Sequence, residues 1–262
     1  MNLQFDESAA LDYKSPSQKI RVMSERWFLA NIFCPCCGNL HIDKLKNNLP
    51  VADMRCENCG EIFELKSKKN HIGAKISDGA YHTMIERITG NRNPQLFVMQ
   101  YSPALTVRDL IFIPKFFFTP EIIEKRKPLA DTARRAGWVG CNILYQKIPE
   151  QGKINVIRDG REIEMADVLQ RYKKVAALQT NDLNLRGWLL DVLNCVNEIE
   201  SETFTLQEIY QYADFLQAKY TSNKNIEPKI RQQLQLLRDK GFIEFVGRGV
   251  YRKRNFAGDF NA

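Results

Sequence analysis

Apolar residues recur at helical spacing in Ile20, Met23, Trp27 and Phe28, and Ser15-Pro16 supplies a start, so a first helix is expected over residues 17–30. Two short strands follow, over 51–55 and 61–66, within a cysteine-rich segment. A helix over 78–89 ends near Gly90. Residues 95–101 and 110–113 are apolar runs bounded by Pro and Asn, the pattern of buried strands. Residues 154–157 form another strand, closed by a turn at Asp159-Gly160. Strands and helices alternating in this way predict an α/β core. Residues 120–150 carry turn signals and the basic, loop-like stretch KRKPLADTARRAGW.

The pattern changes across 176–186, where polar AALQTNDLNLR separates two regions, and the domain boundary is expected there: 1–182 and 183–262. Beyond it, Trp188, Leu189, Val192, Leu193, Val196 and Ile199 mark one helix over 188–199. A second, over 206–219, has Thr205 as N-cap and Glu208 three residues on, a capping box. A third covers 226–240, with Pro228 in its first turn and Gly241 as its stop. Residues 242–246 and 250–253 are strands around the turn Gly247-Arg248-Gly249. Three helices closed by a hairpin is the winged helix-turn-helix arrangement.

Composition narrows the class. No apolar run is long enough for a membrane span, and the acidic start MNLQFDESAALDYK is no signal peptide. A cytoplasmic setting follows, where the seven cysteines stay reduced and read as metal ligands plus spares. The net charge of +7 favours a polyanionic partner. Its distribution says more. Residues 185–218 hold one basic and six acidic side chains, whereas 219–254 hold ten basic and three acidic ones.

Cys34-x-x-Cys37 and Cys56-x-x-Cys59 have the spacing of a four-thiolate zinc site. Buried structural cysteine or a redox CxxC is the plainer alternative. Four protein thiolates leave no open position, so such a zinc holds the fold. Cys36 is an extra thiol inside the first knuckle. Asp53, Glu64 and Lys66 thread the same segment, Asp53 three residues after Pro50. On a strand Glu64 and Lys66 project from one face. Two carboxylates that converge on Mg²⁺, with an ammonium beside them, are what phosphodiester hydrolysis requires. A salt-bridged surface strand has the same ExK tripeptide. His41, His71 and His82 share no metal spacing, and Cys141 and Cys195 sit among apolar residues as core.

In the C-terminal module the third helix would enter the major groove, with Lys224, Asn225, Lys229, Arg231, Gln232, Gln233 and Gln235 as outward polar candidates. Arg248, Arg252, Lys253 and Arg254 on the hairpin would grip phosphates. A winged helix used for protein docking is the competing reading.

The chain resembles the DpnI-type methyl-directed restriction endonucleases, also grouped with Dam-replacing proteins. The likeness is carried by CPCCGN (34–39), NNLPVADMRCENC (47–59), FELKSKK (63–69), DGAY (78–81), RKPLADTARRAGWVGCNI (126–143), LRGWLLDVLNC (185–195), KIRQQLQLLRDK (229–240) and FVGRGVYRK (245–253). It runs nearly end to end. It implies a restriction-endonuclease-like PD-(D/E)xK core with an inserted four-Cys zinc site and a C-terminal winged helix. It also implies Mg²⁺-dependent cutting of double-stranded DNA at GATC bearing N6-methyladenine, by a type II enzyme; a monomer is the expected state. Asp53, Glu64 and Lys66 match its catalytic positions, and Cys34, Cys37, Cys56 and Cys59 its zinc ligands. Both domains would then read the methylated site. In the first, Arg134, Arg135 and Trp138 supply cations for phosphate and an indole for stacking on bases, although an indole there also suits a core.

Two other functions fit parts of the sequence: a zinc-containing transcription regulator with an inert nuclease-like domain, and a repair or mobile-element nuclease of looser preference. The intact Asp53, Glu64 and Lys66 set argues against the first.

Overall fold

The computed structural model describes residues 1–45 and 53–254, so Pro50 and the first half of the expected strand at 51–55 lie outside the described residues. The chain divides into two units, residues 1–146 with 152–176, and residues 147–151 with the chain from 177 onward.

The first unit contains, in chain order, α1 (Pro16–Asn31), β1 (Asp43–Lys44), β2 (Met54–Arg55), β3 (Ile62–Lys69), β4 (Ile76–Ala80), α2 (Tyr81–Thr89), β5 (Gln95–Tyr101), β6 (Val107–Ile113), β7 (Ile123–Lys125), β8 (Gly140–Ile143), β9 (Ile154–Arg158), β10 (Arg161–Glu162) and α3 (Met165–Ala176). Among the described residues the main sheet runs β1-β2-β3-β5-β6-β9-β10. Its one parallel pair is β3 with β5. Phe97 of β5 anchors the core, with Phe28 of α1 at 4.7 Å, Phe63 of β3 at 5.6 Å and Phe112 of β6 at 5.1 Å between ring centroids. Tyr172 of α3 reaches Phe112. Each of these buried Phe rings contributes about 1.5–3 kcal/mol of apolar burial.

Because strand side chains alternate, burying Phe63 against that aromatic layer sends Glu64 and Lys66 to the opposite face of β3. A second, small sheet, β4-β8-β7, supplies residues to that face. This sheet and α3 are additions to the expected elements. The sheet is built of segments of three to five residues, too short for a periodic signal. For the same reason the helix expected over 78–89 starts only at Tyr81, since Asp78 pairs with Cys141 inside the sheet.

The second unit holds α4 (Leu183–Glu198), β11 (Thr203–Thr205), α5 (Leu206–Tyr210), α6 (Ala213–Lys219), α7 (Ile226–Asp239), β12 (Ile243–Gly247) and β13 (Val250–Lys253). β11 and β12 flank β13 in an antiparallel sheet. Val192, Ile230, Leu234, Leu237 and Phe204 are fully buried between the helices and this sheet. The capping box at Thr205 and Glu208 forms in both directions. The single helix expected over 206–219 is instead two. At Gln211 and Tyr212 the N–H groups turn back to Glu208 and Ile209, three residues away, and break the α-helical ladder. Gly241, at φ +78°, ends α7 in the left-handed region where only a residue without Cβ is unstrained.

Candidate active site and metal centre

The two cysteine knuckles are copies of one turn. In the first, Gly38 N–H bonds Cys34 O at 2.8 Å and Cys34 N–H bonds Asn39 O at 2.7 Å. In the second, Gly60 N–H bonds Cys56 O at 2.8 Å and Cys56 N–H bonds Glu61 O at 2.9 Å. Gly38 and Gly60 take φ of +79° and +74°, so the glycine after each CxxC closes the turn. The sequence signal is therefore CxxCG twice. The Sγ atoms of Cys34, Cys37, Cys56 and Cys59 lie within 4.8 Å of one another, Cys34 to Cys59 at 3.6 Å and Cys37 to Cys56 at 3.7 Å. A tetrahedral thiolate site with metal–sulfur bonds of ~2.3 Å needs sulfurs about 3.8 Å apart. The cluster thus fits a metal ion, and Cys36 stands outside it. Burial pushes the Cys56 thiol up, but N–H groups of Cys59 and the Asn39 amide outweigh it and bring it down to about 7, whereas Cys34 is pushed up by the Cys36 thiol and by burial, and Cys59 by burial and by the Cys34 thiol.

Asp53, Glu64 and Lys66 come together where β2 and β3 meet. Asp53 N–H bonds Phe63 O at 2.9 Å, and Asp53 Oδ2 accepts from Leu65 N–H at 3.2 Å. The Lys66 ammonium lies 2.5 Å from Glu64 Oε1 and 2.5 Å from Asp78 Oδ1. Glu64 and Asp78 are buried. Burial pushes the Glu64 carboxyl up to about 7, with the neighbouring charges of Asp78 and Asp53 adding to the push against Lys66. Burial also raises Asp53. Burial alone would depress the Lys66 ammonium, but Glu64 and Asp78 outweigh it and hold it above its usual range. Lys66 thus faces the Glu64 and Asp78 carboxyls, and Asp53 stands beside them on the Arg21 side. Carboxylate oxygens are hard donors of the kind a divalent cation takes.

Sequence reasoning missed three residues here. Asp78 comes from the second sheet, and no spacing near it in the sequence marks it. Glu25, buried on α1, takes Arg21 Nε at 2.6 Å and Lys44 Nζ at 2.9 Å. Arg21 also faces Asp53 Oδ1 at 3.6 Å. A mid-helix Arg and Glu carry no sequence signal beyond a common i,i+4 pair.

The loop 126–139 joins β7 to β8 and carries Arg134, Arg135 and Trp138. Arg134 and Arg135 are exposed, and the Arg135 guanidinium lies 4.8 Å from the Trp138 ring centroid. The half-buried indole rests on Gly140, where a Cβ would stand only 2.8 Å from the ring. In the second unit, Arg231, Gln232 and Gln235 are exposed on α7, and Lys229 bonds Gln232 Oε1 at 2.8 Å. Gln233 corrects the expected set: it is fully buried, with Oε1 making no hydrogen bond, because it falls on the core face beside Leu234 and Leu237. On the hairpin, Arg248 is exposed, Arg252 is paired with Glu244 at 2.9 Å, and half-buried Lys253 donates to Ile199 O.

A mixed α/β unit bearing a tetra-cysteine cluster, followed by a helix-turn-helix module, defines a DNA-binding protein with a separate acidic site. The chain belongs to the Dam-replacing (DpnI) family, matching its profile over residues 1–181. Residues 184–253 match the Dam-replacing HTH domain. The family is consistent with a nuclease, and the HTH domain implies DNA as partner. Among the described residues no helix is long and apolar enough to cross a membrane.

Proposed function

We propose that the protein is a methyl-directed type II restriction endonuclease that cuts double-stranded DNA at GATC carrying N6-methyladenine. In this reading residues 1–182 are a PD-(D/E)xK nuclease domain and 183–262 a winged helix that reads DNA, the chain acting as a monomer in the cytoplasm. The observation that carries it is the gathering of Asp53, Glu64 and Lys66 on one hairpin of a Dam-replacing family chain.

Asp53 and Glu64 would hold Mg²⁺. An ion held there would supply polarisation of the scissile phosphate and a lowered pKa for the attacking water. Glu64 would hold such an ion as the carboxylate, and the burial that raises it to about 7 makes that deprotonation harder than for an ordinary glutamate, most of all in acid. Lys66 stays an ammonium and offsets the charge that builds on the phosphoryl oxygens in the pentavalent transition state. Zn²⁺ held by Cys34, Cys37, Cys56 and Cys59 would have its four positions filled by thiolates and would serve structure alone. It braces the turns that flank β2 and β3, and hence Asp53 and Glu64. Arg134, Arg135 and Trp138 meet the DNA from the first domain. Lys229, Arg231, Gln232, Gln235 and Arg248 meet it from the second.

Plasmids with methylated and unmethylated GATC, digested side by side with Mg²⁺, test this. Cutting of the methylated plasmid alone is expected. Cutting of neither refutes the nuclease, and equal cutting of both refutes methyl direction.

A further inference from the structure

Asp78 sits at an irregularity of β4, where the pairing with β8 shifts between Asp78 and Ala80. Such shifts re-aim a side chain, and here the carboxylate turns inward until its side chain is 1% exposed. Its Oδ1 meets Lys66 Nζ at 2.5 Å and accepts from Gly79 N–H at 2.6 Å. Its Oδ2 is buried and makes no hydrogen bond. A buried ion pair with an unsatisfied oxygen is a poor source of stability, because desolvation cancels most of the attraction. The arrangement calls for another reason.

We propose that Asp78 is the positioning residue for Lys66, holding its ammonium at the reacting phosphate while Glu64 is engaged with the metal. The inference rests on the nuclease reading above. Lys66 has two carboxylate partners, Glu64 on its own strand and Asp78 on the second sheet. In the nuclease reading Asp53 and Glu64 are the metal's holders, which leaves Asp78 as the partner that keeps the ammonium from swinging toward solvent on its long flexible stem. The second sheet is thereby part of the active site. Strand β4 leads into Tyr81, whose N–H bonds Val139 O at the foot of the Arg134, Arg135 and Trp138 loop. DNA affinity must therefore be measured alongside rate.

The test has two arms. In the first, NMR of the ¹⁵N-labelled lysine ammonium groups is recorded on the full chain with Mg²⁺ and without substrate, with Lys66→Ala used to assign the Lys66 signal. Asp78→Asn should move that signal to the position and exchange behaviour of exposed lysines. An unchanged signal overturns the proposal. In the second, single-turnover cleavage by Asp78→Asn should slow by about 10- to 100-fold, the usual loss for a group that orients an active-site ligand from behind. DNA affinity should hold, and Asp78→Glu, which keeps the charge, should recover part of the rate. Added to Lys66→Ala, Asp78→Asn should cost nothing more, since it acts through the missing group. A further loss of the same size in that background, or equal loss in Asp78→Glu and Asp78→Asn, overturns it. A wild-type chain that cuts no DNA refutes the nuclease reading, and the NMR arm then decides the Asp78–Lys66 relation by itself.

Discussion

Asp53 Oδ2 accepts a hydrogen bond from the backbone N–H of Leu65 at 3.2 Å, and Leu65 is the residue between Glu64 and Lys66. The first carboxylate is thus tied to the backbone of the strand that carries the other two groups. This tether sets their spacing before any ion binds. Asp53→Ala, Glu64→Gln and Lys66→Ala should each lower cleavage by at least about 10²–10³-fold, the scale for losing one preorganised electrostatic contact. Binding of methylated duplex should persist, since the winged helix and basic surface supply affinity. Near wild-type cleavage by Glu64→Gln would sink the assignment.

The raised Glu64 carboxyl makes stability depend on pH. Its folded value of about 7 exceeds the ordinary 4.5, so between these the folded chain holds a proton that the unfolded chain has lost. Stability is therefore full below pH 4.5 for this group and falls as pH rises through 7, by up to about 3 kcal/mol at 1.36 kcal/mol per unit. In magnesium-free buffer without chelator, wild type should melt lower at pH 8 than at pH 6. Glu64→Gln should flatten that difference, and Mg²⁺ should restore the wild type at pH 8 by binding the charged form. The same slope in Glu64→Gln would show that another group is responsible.

Cys34→Ser or Cys56→Ser should cost bound metal, stability and cleavage together. The second knuckle joins β2, which Asp53 precedes, to β3, which carries Glu64, and structural thiolate sites supply folding free energy. Metal analysis of purified protein is the check. Active wild type with no stoichiometric zinc would remove the claim. Cys36→Ser, outside the cluster, should keep its metal.

On α7, buried Gln233 and exposed Gln235 should behave oppositely. Gln233→Met removes an unsatisfied buried carbonyl at similar volume, and should raise stability by about 1 kcal/mol while leaving DNA affinity unchanged. Gln235→Ala and Arg231→Ala should leave thermal unfolding nearly as it was and weaken binding of GATC duplex. Thermal melts beside duplex titrations at fixed salt decide it. Loss of DNA binding in Gln233→Met would restore that residue to the reading face.

Local chemistry is legible in a one-dimensional string because its periods are short. The double CxxC, the Glu-x-Lys pair on one face of β3, the capping box at Thr205 and Glu208 and the amphipathic α7 each depend on neighbours within a few residues. Strand period, turn geometry and cap chemistry dictate them without reference to the rest of the chain. Segments of three to five residues such as β4, β7 and β8 carry no period of their own, and their pairing is set by what they pack against. Asp78 is the consequence. Nothing near it in sequence marks it as Lys66's partner, because the contact exists only once a second sheet is laid on the face of β3 that Phe63 leaves free. Gln233 shows the same rule inside a helix: its neighbours leave open which face it takes, and the packing of Leu234 and Leu237 turned it inward. Side chains whose roles are fixed by spacing could be named from the string, whereas those whose roles are fixed by burial and by distant charge awaited the folded core.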